Sequence, residues 1–265
     1  MRNRIAWGII GILVLVCIGL IFSVVYPFST ANSHETSTEE RFTAGESDEY
    51  ELTGTLVVDG RLVYGFEGIV TADGDRYSSL EGEEMRYETY QSGPNRAIYT
   101  KIETAERQAD FRLNSIEHDD DRELLLEERN GEDVTLIVVE ETADDTATGI
   151  SSTAEQFIRS LYGTQYERIE ERDEEYVYEP QEGWFDDQYR VTDSTGDVTV
   201  DADTHEVVSA NVSWDVTRPA ETYAHYLLAR LSDDSTETYE ITYEFDEGDS
   251  EVIVPDWVEN ARAER

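Results

Sequence analysis

A single cysteine, Cys17, stands alone in a chain of 265 residues. That excludes an internal disulfide framework and any zinc site built on paired thiolates. Lysine is nearly missing too. Lys101 is the only one among 20 basic side chains, against 61 Asp plus Glu, and the formal net charge is -41. A basic footprint for nucleic acid is therefore lacking, and nucleic acid is not an expected partner. The histidines are His34, His118, His205 and His225; no two have the spacing of a zinc-binding helix. There is no G-x-S-x-G elbow, no phosphate-cradling glycine loop and no dinucleotide fingerprint. A glycosidase-type carboxylate pair is recognised by geometry, not by spacing, and 61 acids give no means of choosing one. The expectation is a non-enzyme with no catalytic, cofactor-binding or metal-ligating residues.

The chain is nonetheless built to fold. Its 16 Tyr, 8 Phe and 4 Trp sit in alternating patterns, whereas acidic disordered chains are poor in aromatics and β-branched residues. The acids run along the whole length and are not confined to a tail. At ordinary ionic strength such a charge repels itself and opposes compaction. At molar salt the Debye length falls to about 3 Å and the repulsion is screened. Dispersed acids with almost no lysine resemble the proteins of extremely halophilic archaea.

Ile5 to Phe28 carries no charge over 24 residues, with Arg2 and Arg4 before it and a polar, acidic stretch after it. As a helix it would be about 36 Å long, enough to span a bilayer with some tilt. The flanking arginines place the N-terminus in the cytoplasm and everything after Phe28 outside. Residues 1–28 thus read as a single-pass transmembrane signal anchor. Two alternatives stand beside it: cleavage at Ser29-Thr30-Ala31, or lipidation of Cys17. A secretory core is usually shorter, about 7–15 residues. Val16 occupies the place where a lipobox wants a small residue. Residues 29–48, STANSHETSTEERFTAGESD, are too polar to bury a core and read as a flexible acidic linker. Residues 49–265 form the extracytoplasmic, β-rich domain.

In that domain the dominant period is two. Tyr239, Ile241, Tyr243 and Phe245 alternate with Glu240, Thr242, Glu244 and Asp246; Val208, Ala210, Val212 and Trp214 alternate with polar residues. Met85 with Tyr87, and Phe111 with Leu113, suggest further strands. Asp59-Gly60, Asp73-Gly74, Ser92-Gly93-Pro94, Asn130-Gly131 and Thr195-Gly196 read as turns between them, giving an antiparallel meander. Ser152-Thr153-Ala154-Glu155 reads as a capping box opening a helix to about Tyr162, with Phe157, Ile158 and Leu161 on one face. Pro219 opens a second helix, with Tyr223, Ala224, Leu227 and Leu231 at helical spacing. Pro255 and Trp257 suggest a final extended segment.

This order closes on ITYEFDEGDSEVIVPDWVENA, with VTVDADTHEVVSANVSWDVT before it. The two stretches resemble haloarchaeal cell-surface (lipo)protein domains related to the lipoprotein-carrier LolA/LppX-like superfamily. The likeness covers about the C-terminal third of the chain. It implies an α+β, mostly β fold: a curved antiparallel sheet, or half-barrel, with one or two covering helices. It also implies a cavity for acyl chains or other hydrophobic ligands, but carries no site residue. The expected function is a membrane-anchored, non-catalytic domain that binds a lipid or other hydrophobic ligand. The alternative is a structural or protein-interaction module of the cell envelope without a small ligand.

Tyr87, Ile98, Phe111 and Leu113 are the expected lining of that cavity. Asn211-Val212-Ser213 is the only glycosylation sequon beyond the membrane segment, and alternation turns Asn211 to solvent. Asp201, Asp203 and His205 begin like a calcium loop. Glu206 stands where that loop needs Gly and Val212 where it needs a bidentate Glu, so the segment reads as a hairpin turn.

Overall fold

The structure, a computed structural model, describes residues 41–45, 47–141, 149–172, 174–185, 189–218, 220, 223–232, 235–248 and 250–264. The expected membrane helix and residues 29–40 of the linker lie outside the described residues. Among the described residues no helix is long and apolar enough to cross a membrane.

Thirteen strands form one antiparallel sheet that is not closed into a barrel. They are β1 (Tyr50–Val58), β2 (Arg61–Val70), β3 (Arg76–Gly82), β4 (Met85–Gln91), β5 (Ile98–Ala105), β6 (Arg122–Asn130), β7 (Asp133–Glu140), β8 (Gln165–Arg172), β9 (Glu175–Gln181), β10 (Gly183–Phe185), β11 (Tyr189–Asp201), β12 (Val207–Thr217) and β13 (Thr236–Asp246). The helices are α1 (Glu106–Glu117), α2 (Ile150–Leu161), α3 (Tyr223–Ala229) and α4 (Asp256–Glu264). The spatial order is β6-β7-β5-β4-β3-β2-β1-β13-β12-β11-β9-β8, with β10 paired to β11. The first and last strands of the domain, β1 and β13, pair at the centre, Leu56 opposite Ile241.

Register carries one face across the whole sheet. Val198, Ala210, Tyr243, Gly54 and Phe66 are neighbours in successive strands, and Leu80, Tyr87, Ile102 and Leu136 continue the row. Helix α2 covers the first part of this face, with Phe157 over Gly54 and against Phe66 and Tyr243. Helix α1 covers the second, its Ala109 and Ile116 packed with Ile102, Val134 and Leu136. The opposite face divides differently. Around β12, β13 and β1 it presents Asn211, Thr242 and Thr55 to solvent, as the acid-and-hydroxyl alternation predicts. Around β4, β5 and β7 it is apolar, and α4 packs there on Tyr90, Tyr99, Ile137 and Val139.

Turn chemistry explains the hairpins. Asp59 (φ 51°) and Gly60 (φ 72°) both take positive φ in the two-residue turn between β1 and β2, the geometry that matches strand twist. Asp59 also accepts a bond from the Thr238 backbone N–H at 2.9 Å, tying the turn to β13.

Several local expectations are corrected. Phe111 and Leu113 lie in helix α1, not in a strand. Alternation over five residues is too short to separate the two periods, and Ala109, Leu113 and Ile116 supply the helical one. Thr195-Gly196 is not a turn but part of β11, where the register with β12 shifts between Thr192 and Thr195. Gly196, in register with Val212 just past this shift, has φ 93°, and a Cβ there would run into the Asn211 carbonyl oxygen, so the position requires glycine. Helix α2 begins at Ile150 with Gly149 as its N-cap, two residues before the expected start. Burial of Ile150 against Gly68 draws the extra half-turn in. The Ser152 and Thr153 hydroxyls donate to the Gly149 carbonyl at 2.9 and 2.8 Å, and Glu155 pairs with Arg159 instead of closing a capping box.

The last segment is helical as α4, not extended. Val258 N–H donates to the Pro255 carbonyl, Asp256 and Glu259 occupy the first turn, and Trp257 Nε1 donates to Glu88 at 2.9 Å. Finally, residues 42 and 43, within the expected linker, are packed on the domain. Phe42 is buried edge-on to Tyr166 and Tyr178, at ring separations of 5.0 and 5.5 Å. Thr43 forms a parallel bridge with Glu206.

Candidate functional site

The four residues expected to line a cavity do not converge. Tyr87 and Leu113 belong to the packed cluster beneath α1, where Arg112 lies 5.6 Å above the Tyr87 ring. Burial pushes the Tyr87 phenol above the ordinary tyrosine range, with Arg112 opposing. Ile98 is buried at the start of β5. Phe111 points outward from α1 and is 71% exposed.

Asp201 makes the hairpin turn expected of it. Its Oδ1 accepts the backbone N–H groups of Asp203 and Thr204 at 2.9 and 2.7 Å and the Thr204 hydroxyl at 3.0 Å. The Thr204 bonds, backbone first, hold the Asp201 carboxyl below the usual range. Among the described residues no group of three His, Cys, Asp or Glu side chains could hold a metal ion. Asn211 is exposed on the polar face, beside a groove of about 360 Å3 lined by Thr53, Asp197, Ser209, Thr242 and Glu244.

Two features remain that the sequence did not single out. The first is an open groove of about 650 Å3 between the strap at 42–44 and helix α2. Phe42, Ala44, Ile158 and Tyr162 line it, with Glu155 and Arg159 at its rim. The Tyr162 hydroxyl donates to the Phe42 carbonyl at 3.0 Å and holds the strap in place. Phe42 was hidden by its polar surroundings, STEERFTAG, which dilute a lone aromatic in any composition window.

The second feature lies at the far end of β12, in the connection to β13. Tyr226 and Ala229 of α3 turn inward, Tyr226 meeting Trp184 edge-on at 5.6 Å. Arg190 sits over both rings at 5.2 and 5.9 Å. Arg230 lies 5.8 Å from the Tyr226 ring centre and donates to its hydroxyl at 3.1 Å. Arg218 lies over Tyr189 at 5.2 Å. Spending α3's inward face on Tyr226 leaves Leu227, Leu228 and Leu231 outward, at 43%, 66% and 83% exposure. Helical spacing grouped Leu227 and Leu231, but the helix ends at Ala229 and Leu231 lies in the turn after it. The sequence does hold a signal: Thr222 to Ser232 contains no Asp or Glu, in a chain with 61 of them. An apolar, acid-free stretch at the surface of so acidic a protein is unlike an ordinary solvated face.

Comparison with protein families, with curated proteins and with solved structures finds no match to this chain. The function must therefore be argued from these residues.

Proposed function

We propose that this chain is a membrane-anchored, extracytoplasmic, non-catalytic domain of a halophilic archaeal cell envelope, and that it acts as an interaction module through the surface of α3. In this reading residues 1–28 remain as the anchor and the open sheet is a curved half-barrel whose inner side is filled by α1 and α2. The observation that carries it is the outward row of Leu227, Leu228 and Leu231 on a braced aromatic–arginine base. At molar salt, charge–charge contacts are screened within about 3 Å, whereas apolar contacts keep their strength. A surface meant to bind in brine is therefore better made of leucine than of charge.

Hydrogen–deuterium exchange on the full chain tests this, comparing isolated envelopes with detergent-extracted protein at the same salt. Residues 222–232 are expected to be protected in the envelope and to lose that protection on extraction. Equal exchange in both would overturn the reading.

A second reading is supported by the groove between Phe42 and Ile158: binding of a lipid or other hydrophobic ligand there, at the end of the domain where the anchor arrives. Its volume lies within the range of small-molecule sites, about 300–1,000 Å3. Mass spectrometry of molecules co-purifying with the full chain checks it, and a stoichiometric lipid lost in Ile158→Asp is the outcome it requires.

A further inference from the structure

The α3 surface is small for a protein partner. A specific interface needs about 800 Å2 on each side. Three leucines, each smaller than an aromatic ring that buries ~150–250 Å2, do not supply it. A weak apolar patch becomes useful when its target is held nearby, because tethering turns binding into an intramolecular step. On the proposed reading, one target is always held nearby: the bilayer that carries residues 5–28.

The dimensions permit the contact. Thr43 is fixed beside Glu206 at the start of β12, and α3 follows Thr217 at its end. The strand between them spans about 35 Å at ~3.3 Å per residue. The twelve residues from Ser29 to Glu40 reach up to about 40 Å at ~3.4 Å each. A domain lying on its side can bring α3 back to the membrane surface.

The chemistry suits an interface. Leu227, Leu228 and Leu231 can enter the acyl boundary, while Arg190 and Arg230 lie over the Tyr226 ring and Arg218 lies over Tyr189. Among the described residues, neither Arg190 nor Arg230 comes within 4 Å of a carboxylate; each lies over a ring face, and Asp193 and Asp215 act on Arg230 from farther away. Arg218 also pairs with Glu237 at 3.9 Å, and at molar salt these charges are screened within about 3 Å, so the leucines carry the contact and the arginines cover the rings at its edge. We infer that α3 is an interfacial foot that docks the domain onto the lipid bilayer bearing its own N-terminal anchor. This inference rests on the anchor reading of residues 1–28.

The test uses the full chain with Cys17→Ser, carrying one new cysteine for an environment-sensitive fluorophore: Leu228→Cys, or Ile253→Cys as an exposed control on the segment before α4. Each is reconstituted at molar salt into vesicles of phosphatidylglycerol and phosphatidylcholine, some bearing lipid-linked nitroxides. The label at 228 is expected to shift to the blue, to be quenched by the nitroxide lipids and to be shielded from aqueous iodide. The label at 253 should behave as in free solution. A 228 label as open to iodide as the 253 label overturns the foot. Shielding from iodide without nitroxide quenching also overturns it, in favour of a protein occupant. Flotation separates the two layers of the claim. A chain that floats with the vesicles but exposes residue 228 loses only the foot. A chain that does not float has lost the anchor reading, and the foot with it.

Discussion

Helices α2 and α3 are made of similar material and do opposite things with it. In α2 the apolar residues recur on one face, and Ala154, Phe157, Ile158 and Leu161 are all buried in the main core. In α3 the inward positions fall to Tyr226 and Ala229, and the leucines stand in water. What decides between them is what each helix finds beneath it. Gly54 and Gly68 hollow the sheet under α2, where a Cβ would come within 2.8 Å of Phe157 and 2.9 Å of Ile150. Under α3 lies a ring stack instead, Trp184 with Arg190, and it takes in one more aromatic, Tyr226. Apolar sequence therefore makes core only where the facing surface is shaped to take it.

Salt is the broadest way to strain the comparison. In dilute buffer, self-repulsion of a net charge of -41 is unscreened, and the whole domain is expected to unfold, α2 and α3 together. Circular dichroism against salt concentration checks this, and a cooperative fold in dilute buffer would contradict the halophilic reading. Next in size is Phe157→Ala. Removing a fully buried ring from the centre of α2 should cost about 3–5 kcal/mol in chemical denaturation at molar salt. Gly54→Ala fills the hollow beneath the same ring, and overpacking there should cost about 1–3 kcal/mol.

A smaller effect follows from Asp201, whose turn precedes the bridge between Glu206 and the strap. The folded carboxyl is held below its ordinary value by Thr204 and Asp203. Its stabilisation is therefore present above the unfolded pKa, about 3.9, and disappears as pH falls through the folded value. The stability difference between the wild type and Asp201→Asn should shrink as the pH is taken below about 4. A difference independent of pH would mean that the turn does not depend on the carboxylate.

Much of the fold was legible because its patterns are long. The alternation of Tyr239 to Asp246 and of Val208 to Asp215 identified β13 and β12, and Asp59-Gly60 identified a hairpin turn. Where a pattern was short or shared, it failed. Phe111 and Leu113 fit both periods, and only packing of Ala109 and Ile116 chose the helix. Gly196 looks like a turn residue because a crowded strand position and a turn can ask glycine for the same positive φ. The surface of α3 was missed for a different reason. Spacing identifies which residues of a helix share a face, but not whether that face points inward, since this depends on Trp184 and Arg190, which lie far from α3 in the chain. Phe42 could not be read from its neighbours either, because its partners Tyr166 and Tyr178 are equally distant.

The smallest expected effect is also the most telling. If the leucines of α3 are surface held in reserve for a target, then Leu227→Ser, Leu228→Ser and Leu231→Ser together should cost the isolated chain almost nothing. The denaturation midpoint of the triple variant at molar salt is predicted to correspond to each substitution staying within about 0.5 kcal/mol of the wild type. A loss of several kcal/mol, on the scale of Phe157→Ala, would mean that these residues pack into the fold itself and that α3 is no interaction surface.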